Sequence, residues 1–191
     1  MFDAGKYTAV ETFTTTKKLN LLSVMLLLPL YVVCIVVYLI NYDYANIFVT
    51  LFKSTFLLEI IILGVGVLVF LCVSLLIKAA VLSVFAANGF NSVKFKIIQE
   101  TQKPYCCLTE PVKIRHYQFA LTVYILIMGI APYIIAIASG DFIFILASLV
   151  CLYFTGSDIL LLAVLSGEKN GSYIIDFDGI MLYRIYREIA E

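Results

Sequence analysis

Four long apolar segments dominate the chain and predict four membrane-spanning helices. A helix needs about 20 apolar residues to cross a hydrocarbon core of about 30 Å, because each residue advances the helix by about 1.5 Å. The predicted fold is therefore an all-α polytopic membrane protein, with a four-helix membrane domain over residues 19–166. The spans are residues 21–40, 55–78 (the helix continuing to 87), 117–139 and 142–165.

The connection between the second and third spans, residues 91–116, follows a period of two instead of a helical period. Val93, Phe95 and Ile97 alternate with Lys94 and Lys96, which predicts short strands. We expect a basic β-ribbon that either captures an extended peptide by strand addition or is attracted to anionic lipid. Its candidate client-binding or lipid-binding residues are Lys94, Lys96, Lys113 and Arg115.

The tail, residues 167–191, is predicted to contain an amphipathic helix. Apolar and aromatic residues between Ile180 and Ile189 can share one broad helical face, with Arg184, Arg187 and Glu188 on the other. Such a helix lies on a membrane surface or packs on a partner.

The basic residues predict the orientation of the spans. Three lie in the N-terminal segment 1–18, five in the ribbon and three in the tail, whereas the connection 41–54 has only Lys53 and the turn Gly140-Asp141 has none. Loops rich in Lys and Arg stay in the cytoplasm. We therefore expect a multi-pass protein of the cell membrane with both termini and the ribbon in the cytoplasm.

Composition excludes two other classes of protein. Apolar residues make up 63% of the chain and charged residues 14%, which rules out a soluble globular enzyme and a disordered chain. Thirteen basic and thirteen acidic residues cancel, so no overall charge recruits nucleic acid. The lipid bilayer is the partner that the composition requires.

Three charged residues fall inside the predicted spans, and one of them, Glu59, can lie at the outer interface. The other two are Lys78 and Asp158. Asp158 is 17 residues beyond Asp141, or about 25 Å of helix, and Lys78 comes out at a similar depth on the second span. Intramembrane charges are costly without a partner, so we predict a Lys78–Asp158 ion pair. The alternatives are a protonated Asp158, or one hydrogen-bonded to Ser157, Thr155 or water.

Several short motifs occur in an order that resembles a known family. A small-residue segment, Lys78-Ala79-Ala80-Val81-Leu82, is followed by the Val-Lys-Phe-Lys ribbon, then by Pro104-Tyr105-Cys106-Cys107, Ala131-Pro132 and Gly156-Ser157-Asp158. The order resembles the zincin-peptidase family of bacterial polytopic membrane proteins, which is similar to the site-2 intramembrane metalloproteases. The resemblance covers roughly residues 20–180.

This resemblance implies a metal site whose ligands have been lost. Active members of such families bind zinc with a His-Glu-x-x-His motif and an aspartate from a later helix. Here the motif falls on Lys78, Ala79 and Leu82, and only Asp158 matches. The lone histidine, His116, cannot complete three ligands, so we expect no bound metal, no cofactor and no catalytic residue.

The leading hypothesis is therefore a non-catalytic, pseudo-metalloprotease-like protein that binds a membrane partner or a client peptide. The binding surface would be the ribbon, the tail or a groove around Gly64, Gly66 and Pro132. One alternative is an accessory subunit of a membrane transport or export complex. A second alternative is an intramembrane zinc metalloprotease with an unorthodox site.

Overall fold

The computed structural model describes residues 7–12, 16–42, 56–97, 104–168, 171–177 and 182–188. Within these residues the chain is mostly helical, and four of its helices are long and apolar enough to cross a membrane. The predicted four helices are confirmed. They are α1 (Thr16–Asn41), α2 (Phe56–Ser83), α3 (Ile114–Ser139) and α4 (Phe142–Ser166).

Helix α3 contains a π-helical turn at Leu126–Ile130, directly before Ala131-Pro132. Proline has no backbone N–H, and its ring collides with the carbonyl group four residues earlier in a regular α-helix. A π turn widens the helix locally and accommodates such an interruption. The helix thereby passes Pro132 and continues to Ser139.

Helix α4 lies at the centre of the bundle, where it packs against the other three helices. Two glycines allow two of these approaches. A Cβ atom on Gly156 would collide with the Leu27 side chain of α1, and one on Gly129 of α3 would lie 3.0 Å from the hydroxyl oxygen of Thr155. Small residues thus let the helices come close, as is common for helices in membranes.

A tight turn joins α3 to α4, and we call this side of the bundle the turn end. Gly140 has a φ of 72°, a conformation that glycine adopts without strain. Asp141 then caps α4 by accepting a hydrogen bond from the backbone N–H of Ile143 (3.1 Å). Tyr38 of α1 and Tyr42, which directly follows α1, donate hydrogen bonds to carbonyl oxygens at this turn: Tyr38 to Gly140 (3.2 Å) and Tyr42 to Ile137 (2.5 Å).

The strands gather at the opposite side, which we call the strand end. The hairpin pairs β2 (Val93–Ile97) with β3 (Pro104–Leu108). A separate four-stranded antiparallel sheet has the order β1–β6–β5–β4. Its strands are β1 (Tyr7–Thr12), β4 (Val112–Lys113), β5 (Tyr173–Phe177) and β6 (Leu182–Glu188). Strand residues such as Leu108 and Ile185 share a buried core with Leu82, Leu121 and Leu165 of the helices.

The prediction of an amphipathic helix in the tail is wrong. Residues 173–177 and 182–188 form β5 and β6, and Ile174 and Ile185 are buried in the strand-end core. Ile, Tyr and Phe are abundant in both segments and favour strands when a sheet is there to receive them. The neighbour of β6 is β1, from the other end of the chain, so local periodicity does not reveal the pairing.

The end of α2 and the arrangement of the ribbon also differ from the expectations. Because the described residues include strands in two sheets, the fold is not purely α-helical. Helix α2 ends at Ser83 and not at residue 87, because residues 84–88 form turns before Gly89 at a φ of 59°. The ribbon is not one unit: β2 pairs with β3, whereas β4 pairs with β5 of the other sheet.

Candidate functional site

The structure brings Lys78 of α2 and Asp158 of α4 together. The Nζ atom of Lys78 lies 2.5 Å from Oδ1 of Asp158, and the two side chains are 13% and 9% exposed. Lys78 lies five residues before the last residue of α2, Ser83, and Asp158 lies eight residues before the last residue of α4, Ser166. An ammonium and a carboxylate at this depth stabilise each other, because either one alone would be an uncompensated charge in a low-dielectric environment.

Tyr124 of α3 completes the surroundings of the pair. The Lys78 Nζ atom lies 5.6 Å from the centre of the Tyr124 ring, within the range of a cation–π interaction. Tyr124 itself is buried against Phe70 and Ile77 of α2 and Ile159 of α4. Three helices therefore meet at the ion pair.

Two hydroxyl groups near the pair are bonded within their own helices. Ser74, one turn before Lys78, donates to the Leu71 carbonyl oxygen (2.8 Å). Thr155, three residues before Asp158, donates to the Leu152 carbonyl oxygen (3.0 Å). The Asp158 carboxylate accepts a hydrogen bond from the Lys78 ammonium, the partner that the sequence suggested.

The other positions at which the resemblance would place metal-site residues, Ala79 and Leu82, are filled by core residues. Ala79 and Leu82 are fully or almost fully buried, and both pack into the strand-end core with Cys106 and Leu108. Neither side chain has a nitrogen, oxygen or sulfur atom that binds a metal. At positions 78, 79 and 82, α2 therefore presents one ammonium group and two hydrocarbon side chains.

His116 lies apart from the ion pair, as an exposed residue in the first turn of α3 about two turns before Tyr124. Its ring stacks on Phe85 with 5.2 Å between the ring centres, and Phe85 follows the end of α2. Across the described part of the chain, no three His, Cys, Asp or Glu side chains gather as a metal site requires.

The four basic residues of the predicted ribbon occupy two places. Lys94 and Lys96 belong to β2, in the hairpin, whereas Lys113 belongs to β4 and Arg115 to the first turn of α3. On β2, the apolar side chains of Phe95 and Ile97 are more than half exposed.

One feature beside the ion pair escapes sequence reasoning. Tyr124 lies in an apolar run like its neighbours, so nothing marks its ring as facing Lys78.

The groove expected around Gly64, Gly66 and Pro132 is found only in part. A groove of about 350 Å³ lies between α2 and α4 at the turn end, and it is lined by Gly66 but not by Gly64 or Pro132. Its extent depends on how the helices diverge, which no local pattern encodes.

Comparison with known proteins finds no matching family model, no matching curated protein and no matching solved structure. Function must therefore be inferred from the residues and geometry of this chain. The resemblance to the zincin-peptidase family remains a prediction from the motifs that suggest it.

Proposed function

We propose that this chain is a non-catalytic membrane protein, related to intramembrane metalloproteases, that acts by binding a membrane partner or a client peptide. The observation that supports the proposal is the 2.5 Å ion pair between Lys78 and Asp158. Asp158 is the residue that the resemblance assigns to the metal, and Lys78 stands at the first ligand position. In this proposal the Lys78 ammonium, which is part of the chain, takes the place of a zinc ion, which could dissociate.

The same geometry argues against the zinc-protease alternative. A zinc ion at Asp158 would have to displace the Lys78 ammonium and would be repelled by it at short distance. Ala79 supplies no carboxylate to activate a water molecule, and Leu82 supplies no ligand. The ion pair retains the tie between α2 and α4 that a shared metal would provide, without its chemistry.

The hairpin edge is the surface that best suits a client. Strand β2 is an edge of its two-stranded sheet, so an extended segment can add beside it through backbone hydrogen bonds. Phe95 and Ile97 provide apolar contact on one face of β2, and Lys94 is exposed on the other. A client with alternating apolar and acidic residues matches this edge. The distribution of Lys and Arg supports a cytoplasmic strand end.

Partner binding is tested by quantitative mass spectrometry of tagged, full-length protein purified in mild detergent. Phe95→Asp/Ile97→Asp changes two exposed side chains of β2, and Lys113→Glu is the control on the other sheet. We expect wild type and the control to retain the same membrane partner or peptide at a fixed ratio, with at least a tenfold loss in the β2 variant.

Other outcomes of this experiment contradict the proposal. Equal retention by the β2 variant excludes the hairpin edge as the binding surface. Retention of a transport ATPase and permease at a fixed ratio favours the accessory-subunit alternative. Stoichiometric zinc in the same sample, lost on Asp158→Ala, favours the protease.

A further inference from the structure

The groove at the turn end is a site that the ion pair and the hairpin do not use. It runs between α2 and α4 from Glu59 and Asp141 at its mouth to Phe70 and Cys151 at its inner end. Apart from the two carboxylates, the described residues that line it are apolar or small. The groove therefore has an acidic mouth and a hydrocarbon interior.

The dimensions of the groove select its occupant. From Glu59 to Phe70 the helix advances about 16 Å, and the groove has a volume of about 350 Å³. An α-helix with its side chains is about 10–12 Å wide and would occupy roughly three times that volume or more over the same length, so a whole helix does not fit in the groove. One hydrocarbon chain is slender enough to fit. The length of about 16 Å is also close to half the thickness of a bilayer core of about 30 Å.

The mouth of the groove selects a headgroup. Asp141 is exposed and Glu59 is partly exposed, and each is at the beginning of a membrane-spanning helix, where lipid headgroups lie. Two carboxylates at this level attract an ammonium group and disfavour an anionic headgroup. A primary ammonium group, unlike a quaternary one, can also donate hydrogen bonds to carboxylate oxygens.

The floor of the groove is accessible at Gly66. No described atom outside its own helix lies within 4 Å of a Cβ atom built on Gly66, and the same is true of Gly64, which does not line the groove. A side chain introduced at either position meets no obstacle from the chain. Only the one at Gly66 projects into the groove.

We propose that this groove binds one acyl chain of a phospholipid whose headgroup carries a primary ammonium group, such as phosphatidylethanolamine. The acyl chain lies along Gly66 and Ala147 toward Phe70 and Cys151, and the ammonium group lies between Glu59 and Asp141. The site requires a membrane but not the proposed partner binding, because the hairpin is at the other end of the bundle.

The test is native mass spectrometry of the full-length protein released from nanodiscs of phosphatidylcholine with equal phosphatidylethanolamine and phosphatidylglycerol. We expect about one phosphatidylethanolamine retained per wild-type chain. Gly66→Phe fills the groove and abolishes retention, whereas Gly64→Phe, the matched control two residues away, retains the lipid. Glu59→Gln/Asp141→Asn reduces the preference over phosphatidylglycerol by severalfold, since the charges are partly screened.

Three results would overturn the proposal. The first is no retained lipid in wild type, and the second is equal retention by Gly66→Phe and Gly64→Phe. The third is equal retention of both headgroups by wild type, which would remove the role of the carboxylates. Cross-linking from Ala147→Cys to a protein segment in place of a lipid would also contradict it, because the occupant would then be a polypeptide.

Discussion

The side-chain nitrogen of Lys78 and a carboxylate oxygen of Asp158 lie 2.5 Å apart, although 80 residues separate them in the sequence. The contact joins α2 to α4 inside the segment expected to cross the membrane. Helix α2 is the least buried of the four helices. The ion pair therefore adds a polar contact to the apolar packing of α2 residues such as Ala79 and Leu82.

Removing one member of the ion pair is expected to destabilise the protein more than removing both. Lys78→Met leaves a buried carboxylate without its counter-ion and should lower the free energy of unfolding by about 3–5 kcal/mol. Lys78→Met/Asp158→Leu removes both charges and should restore much of this loss. Unfolding in mixed detergent–SDS micelles measures both, with Lys94→Met, an exposed lysine, as control. Equal destabilisation by the single and double variants would mean that the two residues are not coupled.

Gly156 and Gly66 should respond differently to the same methyl group. A Cβ atom at Gly156 collides with Leu27, so Gly156→Ala should force α1 from α4 and cost about 1–3 kcal/mol. Gly66→Ala meets nothing and should be neutral or stabilising, because alanine favours helix. Thermal unfolding compares the two variants, and Leu27→Ala should partly rescue Gly156→Ala. Similar melting temperatures for both would show that α1 and α4 are not in close contact at Gly156.

The turn after α2 should respond to acid through Glu110. Both the side-chain amide and the backbone N–H of Asn88 donate to this carboxylate, and the amide holds the pKa of Glu110 below its ordinary value. Because the folded-state pKa is the lower one, this contact stabilises the protein above the ordinary pKa and ceases to do so as the pH falls through the folded-state value. Asn88→Ala should raise the pKa of Glu110 in a carbon-13 carboxyl titration, and Asn91→Ala, an exposed neighbour, should not. An unchanged pKa in Asn88→Ala would exclude the contact.

The orientation can be tested by cysteine labelling in a Cys72→Ser background, since Cys72 is an exposed cysteine. Lys94→Cys places a thiol at the strand end, and Ser139→Cys places one at the turn end. A membrane-impermeant maleimide should label Ser139→Cys in intact cells and Lys94→Cys only after permeabilisation. The reverse pattern would place the strand end outside.

The sequence is sufficient to predict the helices but not how they face one another. The four helices follow from the lengths of the apolar runs, which can be read directly from the order of residues along the chain. The helical rise places Lys78 and Asp158 at similar depth. The helical rise does not fix the rotation of either helix about its axis, so it does not predict that the ring of Tyr124 lies beside the ion pair.

The tail shows that a local pattern can also predict the wrong kind of element. Residues 182–188 fit a helical face when they are considered alone, and they become a strand because β1 and β5 lie on either side. Pairing between the two ends of a chain leaves no trace in local periodicity. Similarly, Lys113 and Arg115 alternate with apolar residues like Lys94 and Lys96, but Lys113 pairs with Tyr173 and not with the hairpin.

The measurement that most directly tests the proposal that this chain has lost a metal site is its zinc content per chain. Lys78→His/Ala79→Glu/Leu82→His rebuilds the motif opposite Asp158. The control Leu76→His/Ala80→His places the same histidine spacing on an exposed face of α2. We predict no Asp158-dependent zinc in wild type or in the control, and one zinc per rebuilt chain that is lost when Asp158→Ala is added. Stoichiometric zinc in wild type that depends on Asp158, or a rebuilt chain that folds but binds none, would contradict the account.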